Sequence, residues 1–140
     1  PDAHIFAALP GVGAWLAPAL LVKLGEDRHR FPSAASLQVI AGTAPVTEQS
    51  GKQHHVHFRR SCDHSFRNIV QQWARCAVAQ SPWAATYYNE VLTRGGSSNH
   101  AYRCLGNRLL AILWKLWQTE TDYDEAYHLR NRAARRRPLN

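Results

Sequence analysis

The feature that most constrains the fold is a set of apolar residues at helical spacing in the second half of the chain. In residues 98–118 apolar side chains recur every three or four positions, which places them on one face of an α-helix. The same spacing occurs in residues 64–80 and 82–94. These stripes must cover one another, so we predict a mainly α fold that ends in a helical bundle. The longest stripe comprises Tyr102, Leu105, Leu109, Ile112, Leu113, Leu116 and Trp117.

The first part of the chain has two apolar segments, residues 4–9 and 14–24, separated by the sequence PGVG. This order is typical of a helix-hairpin-helix, predicted at about residues 4–25. Gly11 and Gly13 would let the backbone approach a ligand closely, and the N–H groups that begin the second helix can hold a phosphate. The alternative is a tight helix-helix connection with no ligand. A further helix is predicted at residues 34–41, capped by Ser33.

Residues 42–63 form a polar stretch with almost no helical periodicity. Ser50, Gly51 and Lys52 place a hydroxyl, a flexible backbone and an ammonium group in succession. No acidic residue occurs in residues 51–60. A long polar loop inside a compact domain is usually functional or disordered, and this charge favours a phosphate-rich ligand. We predict an irregular hairpin here, with any strand confined to residues 46–59.

The overall charge also favours nucleic acid as a partner. The formal net charge is +7, and 14 of the 17 basic residues are arginine. The planar guanidinium suits bidentate contacts with phosphate, although ordinary surface charge is the alternative reading. The predicted nucleic-acid contacts are Gly11, Gly13, Gly51, Lys52, Arg59, Arg60 and Arg67.

Length and composition set the broad class. The 140 residues fit one domain with its own core, and no apolar run is long enough to cross a membrane. Three cysteines without CxxC spacing imply no disulfide framework, and no signal peptide is evident, so a cytoplasmic protein is expected. The chain begins with proline and contains no methionine, so it is expected to be the C-terminal part of a longer protein.

Three kinds of chemistry can be considered at residues 42–63. His55 and His57, followed by Cys62 and His64, offer ligands for a metal, but neighbouring arginines oppose a cation, so no metal site is assigned. A carboxylate pair for metal-dependent cleavage is disfavoured because acids are scarce nearby. Ser50 is a candidate nucleophile, its alternative being an ordinary turn residue.

Two segments resemble a known family. These are LPGVGAWLAPALLVKLGEDRHRFPSAASLQVIAGTAPVTEQSGK and SPWAATYYNEVLTRGGSSNHAYRCLGNRLLAILWKLW. Together they resemble, in the same order, the C-terminal transposase domain of the DEDD-type insertion-sequence transposases, the insertion sequence 110/116/902 family. The resemblance covers most of residues 4–118. It implies a transposase domain at residues 1–118, with an active loop at about 42–63 and closing helices at about 64–118, and a charged C-terminal tail at 119–140.

The resemblance also implies an activity. Members of this family are RNA-guided DNA recombinases, in which an N-terminal RuvC-like domain supplies acidic ligands for Mg²⁺ and the C-terminal domain supplies a serine. The family's Ser-Gly-Gly-Lys-like loop corresponds to Ser50, Gly51 and Lys52 with one glycine missing, which makes Ser50 the expected catalytic residue.

Several partners follow from that resemblance. They are donor and target DNA, the element's guide RNA and further copies of the full-length chain. The expected location is the bacterial cytoplasm near the nucleoid, and this fragment is expected to be inactive alone, with no cofactor of its own. The alternatives are a non-catalytic helix-hairpin-helix module that binds DNA or RNA and, less favoured, a small zinc-binding protein.

Overall fold

The structure is a computed structural model that describes residues 3–43, 45–50, 53–58 and 63–136. Within these ranges it describes every side chain except those of Ala14 and of residues 45–50, 53–58 and 131–136. The described part is mainly helical, which confirms the predicted fold class. Its helices are α1 (Ala3–Ala7), α2 (Gly13–Leu24), α3 (Ala34–Ala41), α4 (His64–Gln80), α5 (Pro82–Thr93), α6 (Ser98–Thr119) and α7 (Glu125–Arg136), with a short 3-10 helix at Arg28–Arg30 and strands β1 (Pro45–Ser50) and β2 (Gln53–Phe58).

Side-chain caps fix the starts of the closing helices. Asp63 accepts a hydrogen bond from the Phe66 N–H at the start of α4. The Ser81 hydroxyl accepts a hydrogen bond from the Ala84 N–H at the start of α5, and Pro82 is the first residue of α5. The polar residues before the longest apolar stripe predict Ser98 or Asn99 as the cap of α6, and this prediction is wrong. The cap is Ser97, whose hydroxyl accepts from the His100 N–H at 3.2 Å.

Helix α6 forms the centre of the core. Most of its apolar face is buried under α3, α4 and α5, with Tyr102 and Ile112 half-buried, and α1 contacts its C-terminal end. Trp117 packs edge-on against Phe6, with ring centroids 5.5 Å apart, and also against Phe31 at 5.9 Å. Burial of side chains of this size contributes roughly 1.5–3 kcal/mol each. In α3 the core contacts come from Leu37 and Ala41.

The turn between α1 and α2 packs tightly on α4. Gly11 is buried with φ +75°, and a Cβ atom at this position would lie 2.4 Å from the Ala77 backbone nitrogen. The Trp73 indole N–H donates to the Pro10 carbonyl oxygen at 2.7 Å. The turn is therefore held against α4 by a close backbone approach and a hydrogen bond.

Strands β1 and β2 form a two-stranded antiparallel hairpin between α3 and α4. The register pairs Pro45 with Phe58 at one end and Ser50 with Gln53 at the other. Strand β1 begins at Pro45, one residue before the predicted range of 46–59, and β2 ends within that range at Phe58.

Helix α7 follows α6 and packs against α5. Glu125, in its first turn, accepts hydrogen bonds from the Ser81 hydroxyl at 2.7 Å and the Trp83 N–H at 3.1 Å. Tyr123 donates to the other oxygen of the same carboxylate. Burial, together with this hydrogen bond, raises the pKa of the Tyr123 hydroxyl, so the hydroxyl keeps the proton that it donates. Residues 125–136, which the sequence placed in a charged tail, thus include a helix anchored at the start of α5.

None of the helices in the described part of the chain combines the length and the apolar character needed to span a lipid bilayer.

Candidate nucleic-acid interface

The hairpin is joined to the helical core just before β1. Thr43 is 2% exposed, and its hydroxyl donates to the side-chain oxygen of Asn107 on α6 at 3.0 Å. The Gln38 side-chain amide donates to the Asn107 carbonyl at 2.9 Å, and the Thr43 N–H donates to the Gln38 carbonyl at 3.1 Å. These three residues form a polar cluster, the Thr43 cluster, that fixes where the chain leaves the core.

A second anchor lies just before α4, at Asp63. Its backbone N–H donates to the Ile40 carbonyl at 2.9 Å, and its carboxylate lies 3.4 Å from the Lys23 ammonium. The Phe66 N–H, with a smaller contribution from Lys23, holds the pKa of the Asp63 carboxyl below its ordinary value, although burial opposes this shift. The carboxylate therefore stays ionised at neutral pH. Both ends of the segment that contains the hairpin are thus attached to the helical core.

The candidate nucleophile, Ser50, is the last residue of β1 and pairs with Gln53 of β2. Thr43 and Asp63 bracket this strand pair along the chain, so the hairpin extends from an anchored base. The predicted contacts Gly51, Lys52, Arg59 and Arg60 lie outside the described residues.

Arg67, another predicted contact, lies on α4 one turn beyond Asp63 and is half-buried. Its backbone N–H donates to the Asp63 carbonyl at 2.9 Å. Among the described side chains, no acidic group forms an ion pair with the Arg67 guanidinium. The structure therefore places this cation beside the anchored end of the hairpin segment.

The two glycines of the PGVG turn have different surroundings. Gly11 is buried against Ala77, and α4 occupies the space that a side chain at this position would need. Gly13 is the exposed first residue of α2, with φ +63° and no atom within 4 Å of an added Cβ. Packing on α4 therefore accounts for glycine at position 11, and its contact with phosphate stays a prediction. Gly13 remains open to solvent.

The PGVG turn and the hairpin base do not form one site. Gly11 packs on Ala77, whereas Arg67 lies ten residues earlier on the same helix. At 1.5 Å per residue, this spacing places the two features about 15 Å apart along α4. Helix α2 connects the two features, because it begins at Gly13 of the PGVG turn and its last turn carries Lys23, the partner of Asp63. The candidate interface therefore has two parts, one at each end of α2.

No three histidine, cysteine, aspartate or glutamate side chains in the described part of the chain lie close enough together to hold a metal ion. The histidines considered as ligands at positions 55 and 57, and Cys62, fall outside the residues whose side chains are described. His64 alone of that set is described, as the exposed first residue of α4.

Comparison with known proteins identifies the family. The profile of the Transposase IS116/IS110/IS902 family matches residues 3–89, which include α1 to α4, the hairpin and most of α5. This match covers more than half of the chain. The chain belongs to the IS116/IS110/IS902 transposase family.

Curated relatives agree with this assignment to the IS116/IS110/IS902 family. The chain is 36% identical over 124 residues to the "Mini-circle putative transposase for IS117" of Streptomyces coelicolor. It is 30% identical over 125 residues to the "Insertion element IS110 uncharacterized 43.6 kDa protein" of the same organism, and equally to the "Insertion element IS900 uncharacterized 42 kDa protein" of Mycobacterium paratuberculosis. Each match covers 89% of this chain but only 30% or 31% of the relative.

Sequence reasoning did not single out the residues that anchor this family member's hairpin. Thr43 lies in the sequence GTAP, within the first segment that resembles the family. Its burial could not be inferred from the sequence, because threonine is usually exposed. Asn107 lies among the apolar residues of α6, and a polar side chain at a core-facing position is the sequence signal that could identify it. Asp63, directly before a helical stripe, matches the pattern of an N-cap and was recognisable on that ground.

Proposed function

We propose that this chain is the DNA-binding and catalytic-serine domain of an insertion-sequence transposase, and that Ser50 attacks a DNA phosphodiester. The observation that carries the proposal is the position of Ser50, at the end of a strand whose hairpin segment is anchored by Thr43 and Asp63, within the region matched by the family profile. An anchored hairpin can hold a reacting hydroxyl at a fixed place relative to the helices.

The chemical step is a transfer of the phosphoryl group between two oxygens. The Ser50 hydroxyl gives up its proton, its oxygen bonds to phosphorus, and one phosphorus–oxygen bond to a DNA sugar breaks. The released sugar oxygen takes up a proton. The phosphoserine link keeps a phosphodiester bond, so a sugar hydroxyl of another strand end can attack it and restore Ser50.

Positive charge near the serine supports this chemistry. Lys52 follows Ser50 by two positions, and Arg59 and Arg60 come directly after β2 in sequence. Arg67 adds a further cation near the Asp63 anchor. Cations at these positions would hold the phosphate and offset the negative charge that develops as the nucleophile attacks.

The complete reaction would require parts outside this chain. The chain spans about 30% of the length of the curated relatives that it matches. We assign Mg²⁺, which would stabilise charge on the reacting phosphate, to a RuvC-like domain outside residues 1–140. The partners proposed with it are donor and target DNA, a guide RNA and further copies of the full-length protein, in the bacterial cytoplasm near the nucleoid.

The test uses the full-length protein with Mg²⁺, its guide RNA and labelled DNA. The wild type should form a covalent protein–DNA adduct that survives a denaturing gel. Ser50→Ala should abolish that adduct and leave DNA affinity nearly unchanged, because a hydroxyl contributes little of the attraction to phosphate.

Three variants are controls for this experiment. Ser61→Ala, Ser65→Ala and His55→Ala should still form the adduct. An adduct that persists in Ser50→Ala but is lost in Ser61→Ala would show that another serine is the nucleophile.

A non-catalytic nucleic-acid-binding module is the second candidate, and the exposed start of α2 is the observation that favours it. Gly13 is exposed and no side-chain cap bonds the first N–H groups of α2, and such groups can bind phosphate. If the wild-type full-length protein binds DNA but forms no adduct under any of these conditions, this second function replaces the first.

A further inference from the structure

A cavity of about 830 Å³ lies between α5, α6 and α7, and it shares no residue with the hairpin. Its volume is within the range of cavities that hold small organic ligands. The wall from α5 includes Trp83 and Tyr87, and the wall from α7 includes Tyr127 and His128. Trp83 belongs to the hydrophobic core and Tyr87 packs against it, so the exposed ring of Tyr127 is the one that core packing does not explain.

The aromatic rings of this cavity range from buried to open. Trp83 is 6% exposed and stacks on Tyr87, with centroids 6.1 Å apart and an interplanar angle of 16°. The ring of Tyr127 is packed edge-on against His128, yet Tyr127 is 51% exposed. Tyr127 therefore presents aromatic surface to anything that enters the cavity from solvent.

The polar groups of the cavity carry both signs of charge. Its cations are Arg94, Arg108 and Lys115, and none of them makes an ion pair with a described side chain. The Arg108 guanidinium lies 5.6 Å from the centroid of the Tyr87 ring. Burial lowers the pKa of His128, so this ring adds no positive charge at neutral pH.

The acids among the residues that line the cavity are Glu90, Asp122 and Asp124, and the two aspartates are engaged in local contacts. Asp124 accepts hydrogen bonds from the N–H groups of Ala126 and Tyr127, which caps α7. Asp122 lies 2.8 Å from the His4 ring nitrogen. The cavity thus offers stacking surface, hydrogen-bond donors and acceptors together, and it lacks the all-cationic lining that a free phosphate would select.

We propose that this cavity binds a nucleobase, stacked on Tyr127 and hydrogen-bonded through the mixed polar groups of α5 and α6. A base has a planar face for stacking and an edge that carries both donors and acceptors, which match this lining. Arg94, Arg108 and Lys115 then lie where they can contact the phosphate attached to the bound nucleotide. The base can come from a free nucleotide or from an unpaired position in a strand.

The test compares an oligonucleotide that has one unpaired 2-aminopurine with the same sequence fully paired. The wild-type protein should quench the fluorescence of the unpaired probe as the base stacks, and the paired duplex should give no quenching. Tyr127→Ala should weaken binding of the unpaired probe at least about fivefold, the lower end of what one stacked base is worth. Binding of the duplex should not change.

Matched variants separate stacking from other effects. Tyr127→Phe keeps the ring and should restore wild-type affinity. Trp15→Ala removes another aromatic residue, 70% exposed on α2, and should leave binding of the unpaired probe unchanged. Arg108→Gln on α6 gives an independent variant that does not alter α7, and it should also weaken binding of the unpaired probe.

Competition by adenosine monophosphate identifies the source of the base. If the nucleotide displaces the probe at similar concentration, the site binds free nucleotides, and if it does not, the site binds bases within a strand. The proposal is wrong if Tyr127→Ala has no effect, if Tyr127→Phe is as weak as Tyr127→Ala, or if inorganic phosphate alone displaces the probe. These outcomes do not depend on Ser50, so they test the cavity separately from the proposed transposase chemistry.

Discussion

The hydroxyl of Thr43 donates to the side-chain oxygen of Asn107 across 3.0 Å, although the two residues are 64 positions apart. This bond links the residue two positions before β1 to the middle of the most buried helix. Both groups are removed from most solvent, so each would be costly to leave unpaired. The position at which the chain leaves the core before the hairpin therefore depends on the same packing that stabilises the bundle.

Replacing Thr43 with valine should test this link. The two side chains have nearly the same shape, but valine leaves the Asn107 oxygen without its donor, at a cost of roughly 1–3 kcal/mol. Urea unfolding should show a lower midpoint with an unchanged slope. Thr86→Val, at an exposed position of α5, should change stability by less than about 0.5 kcal/mol. Equal effects at the two positions would contradict an anchoring role for Thr43.

Gly11 and Gly13 should respond differently to alanine. Both have positive φ, which costs a non-glycine residue roughly 1–2 kcal/mol. At Gly11 the new methyl group would also overlap the backbone of α4, adding roughly 1–3 kcal/mol. Thermal unfolding should therefore show a much larger loss for Gly11→Ala than for Gly13→Ala. A larger loss for Gly13→Ala would show that the turn does not pack on α4 as described.

Much of the helical bundle could be predicted because the apolar spacing of its helices is regular. Helix α4 begins and ends at the residues inferred from the stripe, since a strong period of 3.6 residues and clear flanking residues coincide there. The cap of α6 is harder to predict because three adjacent polar residues, Ser97, Ser98 and Asn99, are all good caps. Only the hydrogen bond to the His100 N–H separates them.

The anchoring of the hairpin could not be predicted in the same way. The contact between Thr43 and Asn107 depends on how α3 packs against α6. No local sequence pattern around either residue indicates that these two positions, 64 residues apart, come together. The packing of Gly11 on α4 is equally hidden in the sequence, because a glycine that packs and a glycine that binds a ligand look alike there. The aromatic cavity was missed for a related reason, since the residues of α7 have a polar, arginine-rich sequence typical of a solvated helix.

The Asp63 cap should make stability depend on pH. Its pKa is lowered in the folded protein, so its contribution is fully present above the unfolded value of 3.8 and is lost as the pH falls through the lower folded value. Asp63→Ala should cost roughly 0.5–2 kcal/mol at pH 7. That difference from wild type should shrink in urea unfolding measured below about pH 4. Asp27→Ala, at the exposed cap of the short 3-10 helix, should cost less at pH 7. A difference for Asp63→Ala that is constant with pH would rule out the ionised cap.

The charge of the hairpin segment should determine how nucleic-acid binding depends on salt. Each phosphate contacted by a cation releases counterions, which steepens the slope of log K against log salt by about 0.9 for duplex DNA. Changing Lys52, Arg59 and Arg60 together to glutamine should weaken duplex binding and reduce that slope by roughly two to three. The control changes Arg30, Arg75 and Arg103 to glutamine, which removes the same formal charge from other parts of the surface. Fluorescence anisotropy across a salt titration measures both slopes. If the two triple variants give the same slope, net charge alone governs binding and the hairpin arginines and Lys52 make no direct contact with phosphate.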